Sequence, residues 1–226
     1  IVDANDVTLA TTFAADSLVQ QAGSGTTRIN GDAILFGATG IEISTQTIDV
    51  NASIDVQSAA AGGPLRLLAG DDLLINGALL SGTGLVDLTA GNDVTFTTAG
   101  SLSSTDGPVT VTADANGDAR GTGGALTMAD GSRIDSGTGI IRLSADEDVT
   151  VSSVVTTNGT IDAITITSTS GAIVDGGDGD IDLVANTPGA RVTIDAVSGV
   201  GATGPLGALE STVAGLLGTN STSGAI

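Results

Sequence analysis

The chain of 226 residues carries a formal net charge of −20 and contains no cysteine, histidine, tryptophan or tyrosine. Its six basic residues, all arginine, stand against 26 acids; that balance cannot neutralise a phosphate backbone or hold an anionic membrane surface, so neither nucleic acid nor an anionic membrane surface is expected as a partner. No apolar run approaches the ~18 residues of a bilayer span, so no membrane insertion is expected, and thiol chemistry, histidine metal sites, lysine Schiff bases and nucleophilic triads lack their residues.

The chain opens at Ile1 rather than Met, which reads as a processed product or a segment of something longer. Residues 1–39 are expected to form irregular N-terminal coils. Within them Asp6-Val7-Thr8-Leu9 has the pattern of a short strand. Arg28 to Phe36 reads as two strands around a Gly-Asp turn.

From Gly40 a phrase recurs. Gly84-Leu85-Val86-Asp87-Leu88-Thr89-Ala90-Gly91-Asn92-Asp93-Val94-Thr95-Phe96 reads as two strands, with apolar and small polar residues alternating as they do where one face is buried. The same phrase starts at Gly63 and Gly139, and shorter versions start at Gly40, Gly107, Gly159 and Gly179. Successive glycines lie 23, 21, 23, 32, 20 and 20 residues apart. A repeat of about 20 residues with two or three strands belongs to a solenoid. The expected fold is therefore all-β, a parallel, right-handed β-helix with a core over residues 40–187.

In such coils Leu65, Leu67, Val86, Leu88, Val109, Val111, Ile141, Leu143, Ile181 and Leu183 should point inward from first strands. Leu73, Ile75, Val94, Phe96, Leu126, Met128, Val149 and Val151 should do so from second strands. The ninth residue after the glycine is acidic at Asp49, Asp72, Asp93 and Asp148, and Asn116 holds that place in a fifth coil. The step of 32 residues contains a Gly/Asp-rich insertion, 113–124, which should form a surface loop at one corner.

Residues 188–226 read as a linker, a short helix and the start of a further coil. Pro188 ends the regular part, and Ser198 to Pro205 is a flexible connector. Leu206, Leu209, Val213, Leu216 and Leu217 then recur at helical spacing around Glu210, which predicts a short helix or a poorly formed rung over Leu206–Leu217. Ser223-Gly224-Ala225-Ile226 has the form of a coil's opening and Ile1 to Leu9 that of its remainder. The expectation is one unit of an array, covalent or stacked head to tail, because open β-helix ends expose unpaired strand edges.

These G-x-φ-x-φ-x-A…D-V-T phrases, over roughly Gly40 to Ala185, resemble the β-helical repeats of filamentous-haemagglutinin-type adhesins and of very large secreted bacterial surface proteins. Leu209 to Leu217, followed by Asn220 to Gly224, also resembles a segment that interrupts such arrays. The resemblance implies a secreted protein of the bacterial cell surface with a structural or adhesive role. The absence of cysteine suits an exported protein that folds without disulfides.

What chemistry remains is that of carboxylates. Paired acids that could cleave acidic polysaccharides are Asp146, Glu147 and Asp148, or Asp175, Asp178, Asp180 and Asp182. Against catalysis, hardly any aromatic side chain is present to stack on sugars and few cations to hold a uronate. Acids repeated at one coil position also suit turns, whose backbone they cap. Aligned acids would stack about 4.8 Å apart, and a cation with oxygen ligands would relieve their repulsion. Asp72, Asp93 and Asp148 are therefore candidate calcium ligands, as are Asp114, Asn116 and Asp118 at the alternating spacing of a calcium loop.

The expected function is that of a β-helical unit of a surface filament that associates end to end, with a glycan or cell-surface receptor contacting the 113–124 insertion. A β-helical polysaccharide hydrolase or lyase and a calcium-dependent binding module are the alternatives.

Overall fold

The computed structural model describes residues 4–57, 62–115, 123–177, 179–202 and 207–221. These form a parallel β-solenoid in which each coil contributes up to three strands, one to each of three walls. The first wall stacks Leu65–Ala69, Val86–Ala90, Val109–Thr112, Ile141–Ala145, Ile164–Ser168, Val192–Ala196 and Leu216–Asn220. The second is a sheet of nine strands from Val7–Leu9 to Gly199–Val200, so the molecule has about nine turns. The third runs from Ile54–Asp55 through Ala78–Ser81 and Ser101–Ser104 to Ser211–Val213. Near the N-terminus the 13-residue strand Ala33–Thr45 serves two walls, pairing with Ile54 through Ala33 and with Leu65 through Ile41.

Alternation places every second side chain in the lumen. Val86, Leu88 and Ala90 are buried while Asp87 and Thr89 face outward between them. Register then stacks like on like: Val86 lies between Leu65 and Val109, and Leu88 between Leu67 and Val111. Each such aliphatic side chain contributes roughly 1.5–3 kcal/mol of burial before conformational entropy is counted. Small residues hold the inward position where the first wall ends, as Ala69 opposite Ala90 and Ala145 opposite Ser168.

The recurrent glycines mark the corner between the third and first walls. A Cβ on Gly107 would sit on the carbonyl oxygen of Gly84, and one on Gly139 on that of Gly107. Glycine is required there because successive corners nest against each other. Buried hydroxyls three residues earlier complete the corner. Ser104 Oγ donates to the Gly107 carbonyl at 3.2 Å and Ser136 Oγ to that of Gly139 at 2.7 Å. The resulting S-x-x-G signature recurs in the sequence at Ser81, Ser104 and Ser136.

The expected second strands and their inward residues are all present, as is the pairing of Val7–Leu9 with the next coil. Beyond Gly139 the register differs from the sequence reading. Ile141–Ala145 is followed on the first wall by Ile164–Ser168 and then Val192–Ala196, so neither Gly159 nor Gly179 opens a coil. Ile181 is 48% exposed, and Leu183 is buried on the third wall opposite Val154. A Cβ on Gly179 would meet open space, so that glycine is not held by packing.

Asp49 also departs from the expected column. It pairs with Leu74, not with Asp72, and faces outward to Arg28 at 3.1 Å. At the C-terminus, the segment read as a helix is strand among the described residues. Ser211–Val213 pairs with Leu183–Ala185, and Leu216–Asn220 with Val192–Ala196. Gly207, Gly215 and Gly218 each disfavour a helix by about 1 kcal/mol relative to alanine, and ladder hydrogen bonds to the preceding coil decide the outcome. Leu206 and the coil opening at Ser223–Ile226 lie outside the described residues, as do Ile1, Val2 and Asp3.

Candidate functional site

The acids that recur along the chain gather at corners where a strand is about to begin. Asp93 precedes Val94–Phe96, and its Oδ1 accepts the backbone N–H of Gly124 at 2.8 Å and of Ala125 at 3.0 Å, in the next coil. Asp148 accepts from Ala172 at 2.7 Å, and Asp6 from Thr26 at 2.8 Å. Asp72 accepts from the Asn92 side chain at 2.7 Å and from the Asp93 N–H at 3.3 Å. The third wall repeats the device: Asp32 accepts from the Ser53 N–H, and Asp182 from the Glu210 N–H at 2.9 Å. Each carboxylate takes the first backbone donor of the following coil, where the carbonyl ladder has not yet started.

This arrangement accounts for Asp72, Asp93 and Asp148 without a cation. Asp72 and Asp93 lie in adjacent coils, whereas Asp93 and Asp148 are separated by the coil in which Ala125 holds the corner. Asp114 has a left-handed backbone (φ 54°) beside Gly124. Asn116 and Asp118 fall outside the described residues, as does most of the 113–124 insertion, which leaves and rejoins the coil at the same corner as the acids. Of the acids weighed as catalytic pairs, Asp146 accepts from the Thr169 hydroxyl at 2.6 Å and Asp148 from the Ala172 backbone, so both are engaged in holding coils together. Asp178 lies outside the described residues, and Asp180 is exposed.

One acidic group is built differently. Asp175 ends the strand Ala172–Asp175 in an inward position, opposite Val151. Coil after coil, that second-wall column is apolar: Ile29, Val50, Ile75 and Phe96 stack one on the next, followed by Met128 and Val151. Asp175 is 8% exposed, and among the described residues neither of its carboxylate oxygens meets a hydrogen-bond donor. One oxygen from each of Asp175, Asp182 and Glu210 lies within 4.8 Å of the others. Asp182 is 1% exposed, and Glu210 Oε2 is likewise buried without a donor among the described residues. The sequence offers Asp175 and Asp182 as members of a pair of catalytic acids and Glu210 as part of a short helix or a poorly formed rung. Missing from that reading is the inward register of Asp175, which alternation from Ile173 does encode.

At the C-terminal end, the last coil leaves an apolar hollow lined by Leu183, Ile194, Val200, Leu209 and Leu216. Leu216 and Leu217, on the last first-wall strand, are 56% and 44% exposed. That strand pairs with Val192–Ala196 on one edge and is the last described strand of its sheet. No helix of the described residues is long and apolar enough to cross a membrane.

Comparison with known proteins finds no family model, no curated protein and no solved structure that matches this chain, so the β-solenoid itself is the identity that its geometry establishes.

Proposed function

We propose that this chain is a β-helical unit of an extracellular structural or adhesive filament at a bacterial cell surface, and that its coils continue into those of a neighbouring unit. The observation that carries the reading is the terminal rung. Among the described residues no strand lies beyond the last first-wall strand, whose Leu216 and Leu217 are exposed beside an apolar hollow. Edges of this kind are templates for further pairing, and natural β proteins otherwise shield them with charge, proline or a covering segment. At the other end Val7–Leu9 likewise has a partner on one side among the described residues. An incoming coil would extend all three walls and close the hollow in one step.

The side walls favour a spacer or scaffold over a glycan-cleaving enzyme. Outward positions such as Thr95, Thr110 and Thr165 carry short polar side chains, and of the paired acids Asp146 accepts from the Thr169 hydroxyl and Asp148 from the Ala172 backbone. The insertion at 113–124 is the segment proposed to meet a glycan or a cell-surface receptor.

Negative-stain microscopy and light scattering across a concentration series test this. Rod-like particles that lengthen with concentration are expected, and the double variant Leu216→Asp, Leu217→Asp should stay short while keeping its β-sheet circular dichroism. A wild-type chain that remains a monodisperse monomer at high concentration overturns end-to-end association.

A further inference from the structure

We infer that Asp175, Asp182 and Glu210 form a binding site for one hard divalent cation, with calcium the ion the ligand set fits, and that this ion ties the last two described coils together. The geometry comes first. The three side chains arrive from three different segments: the end of a second-wall strand, the residue before Leu183–Ala185, and the residue before Ser211–Val213 one coil later. Asp182 and Glu210 occupy equivalent positions in successive coils, and the Glu210 N–H donates to Asp182 Oδ2 at 2.9 Å, which fixes that carboxylate. Asp175 reaches toward them from the lumen, so an oxygen from each lies within 4.8 Å of the other two.

The second observation is independent of this clustering. Asp175 is buried to more than nine-tenths, both of its oxygens lack a donor among the described residues, and its column is apolar in every coil from Ile29 to Val151. A valine would fill the place as it does one coil earlier. An ionised carboxylate buried without a donor is strongly unfavourable, and two further carboxylates at this distance make it more so. Corner acids such as Asp93 and Asp148 escape the difficulty by accepting backbone N–H groups. Asp175 has no such donor, so its conformation makes sense when a cation stands among the three oxygens.

Ligand chemistry selects the ion. All donors are carboxylate oxygens, with no nitrogen or sulfur in the cluster, which suits a hard cation. Three carboxylates, each able to bind through one or two oxygens, approach the 6–8 oxygen ligands that calcium takes in flexible geometry, whereas magnesium demands a near-ideal octahedron and retains its waters. The site depends on the fold alone, and its failure would leave the filament reading standing.

The test uses the full chain stripped with chelator, titrated calorimetrically with calcium and, separately, with magnesium. One tight calcium per chain is expected, above the diffuse weak binding that a net charge of −20 produces, together with a rise of several degrees in the melting temperature. Asp175→Val restores the apolar column. It should abolish the tight site while melting, without calcium, at or above the wild-type value. Asp175→Asn and Glu210→Gln keep the shapes and should also lose the tight site, whereas Asp72→Asn should retain it. No saturable calcium binding by the wild type, or tight binding unchanged in all three variants of Asp175 and Glu210, overturns the proposal. A cluster that merely shares protons gives the first of these results, with a melting temperature that follows pH and ignores calcium.

Discussion

Asp93 holds the N–H of Ala125, its counterpart one coil further on, at 3.0 Å, through the same oxygen that receives the Gly124 N–H at 2.8 Å. A single side chain thereby fixes the point at which the chain, returning from the 113–124 insertion, rejoins the second wall. The bond explains why an acid suits this corner: its side chain reaches across the rise between coils to donors that no strand carbonyl serves.

Asp93→Ala should therefore be destabilising by about 1–3 kcal/mol, the cost of leaving partly buried N–H groups unmet. Asp93→Asn keeps an acceptor oxygen and should cost less. Urea denaturation of the two variants against the wild type checks the order. An alanine variant as stable as the wild type would show that water serves these donors equally well.

Phe96 is wholly buried in a column whose neighbours are Ile75 and Met128, and it is the largest side chain fully buried among the described residues. Phe96→Ala should lower stability by about 3–5 kcal/mol, because a lumen only a few side chains across cannot collapse on the cavity without breaking the register of adjacent coils. Phe96→Leu should recover most of the loss. Thermal and urea unfolding provide the measurement.

A corner glycine is a packing requirement between the third and first walls at Gly107 and not between the second and third walls at Gly179. Gly107→Ala places a methyl on the Gly84 carbonyl and should destabilise by about 1–3 kcal/mol, as overpacking does. At Gly179 a methyl meets nothing within 4 Å, and Gly179→Ala should be neutral or slightly stabilising. A difference in melting temperature between the two variants is the readout. Equal effects would mean that the corners do not nest as tightly as described.

The contrast between those two glycines also shows what the sequence encodes. From Gly40 to Gly139 alternation, corner glycines and capping acids are all local consequences of one coil shape, so wall, lumen and period are legible residue by residue. Legibility ends where a corner changes length. The step from Gly40 to Ile41 and the turn from Thr45 to Ile48 are each one residue shorter than those from Gly63 to Leu65 and from Ala69 to Leu73, which shifts Asp49 two places out of the column that counting from Gly40 assigns it. Asp162 stands where a glycine would be expected, and Gly179 begins a phrase with no wall to join. In those places register is set by hydrogen bonds to the coil beneath, a long-range property. The terminal leucines mislead for the same reason: their helical spacing is real, but pairing with Val192–Ala196 outweighs it. Asp175 lies between these cases. Its inward register follows from Ile173, while its meeting with Glu210 depends on two loops whose lengths carry no periodic signal.

The insertion after Val109–Thr112 leaves the strands on both sides of it undisturbed: Val109 still faces Ile141, and Leu126 still faces Val149. That corner works as an open splice point, where foreign peptide can be grafted and presented at a fixed height on the shaft while the scaffold winds on past it.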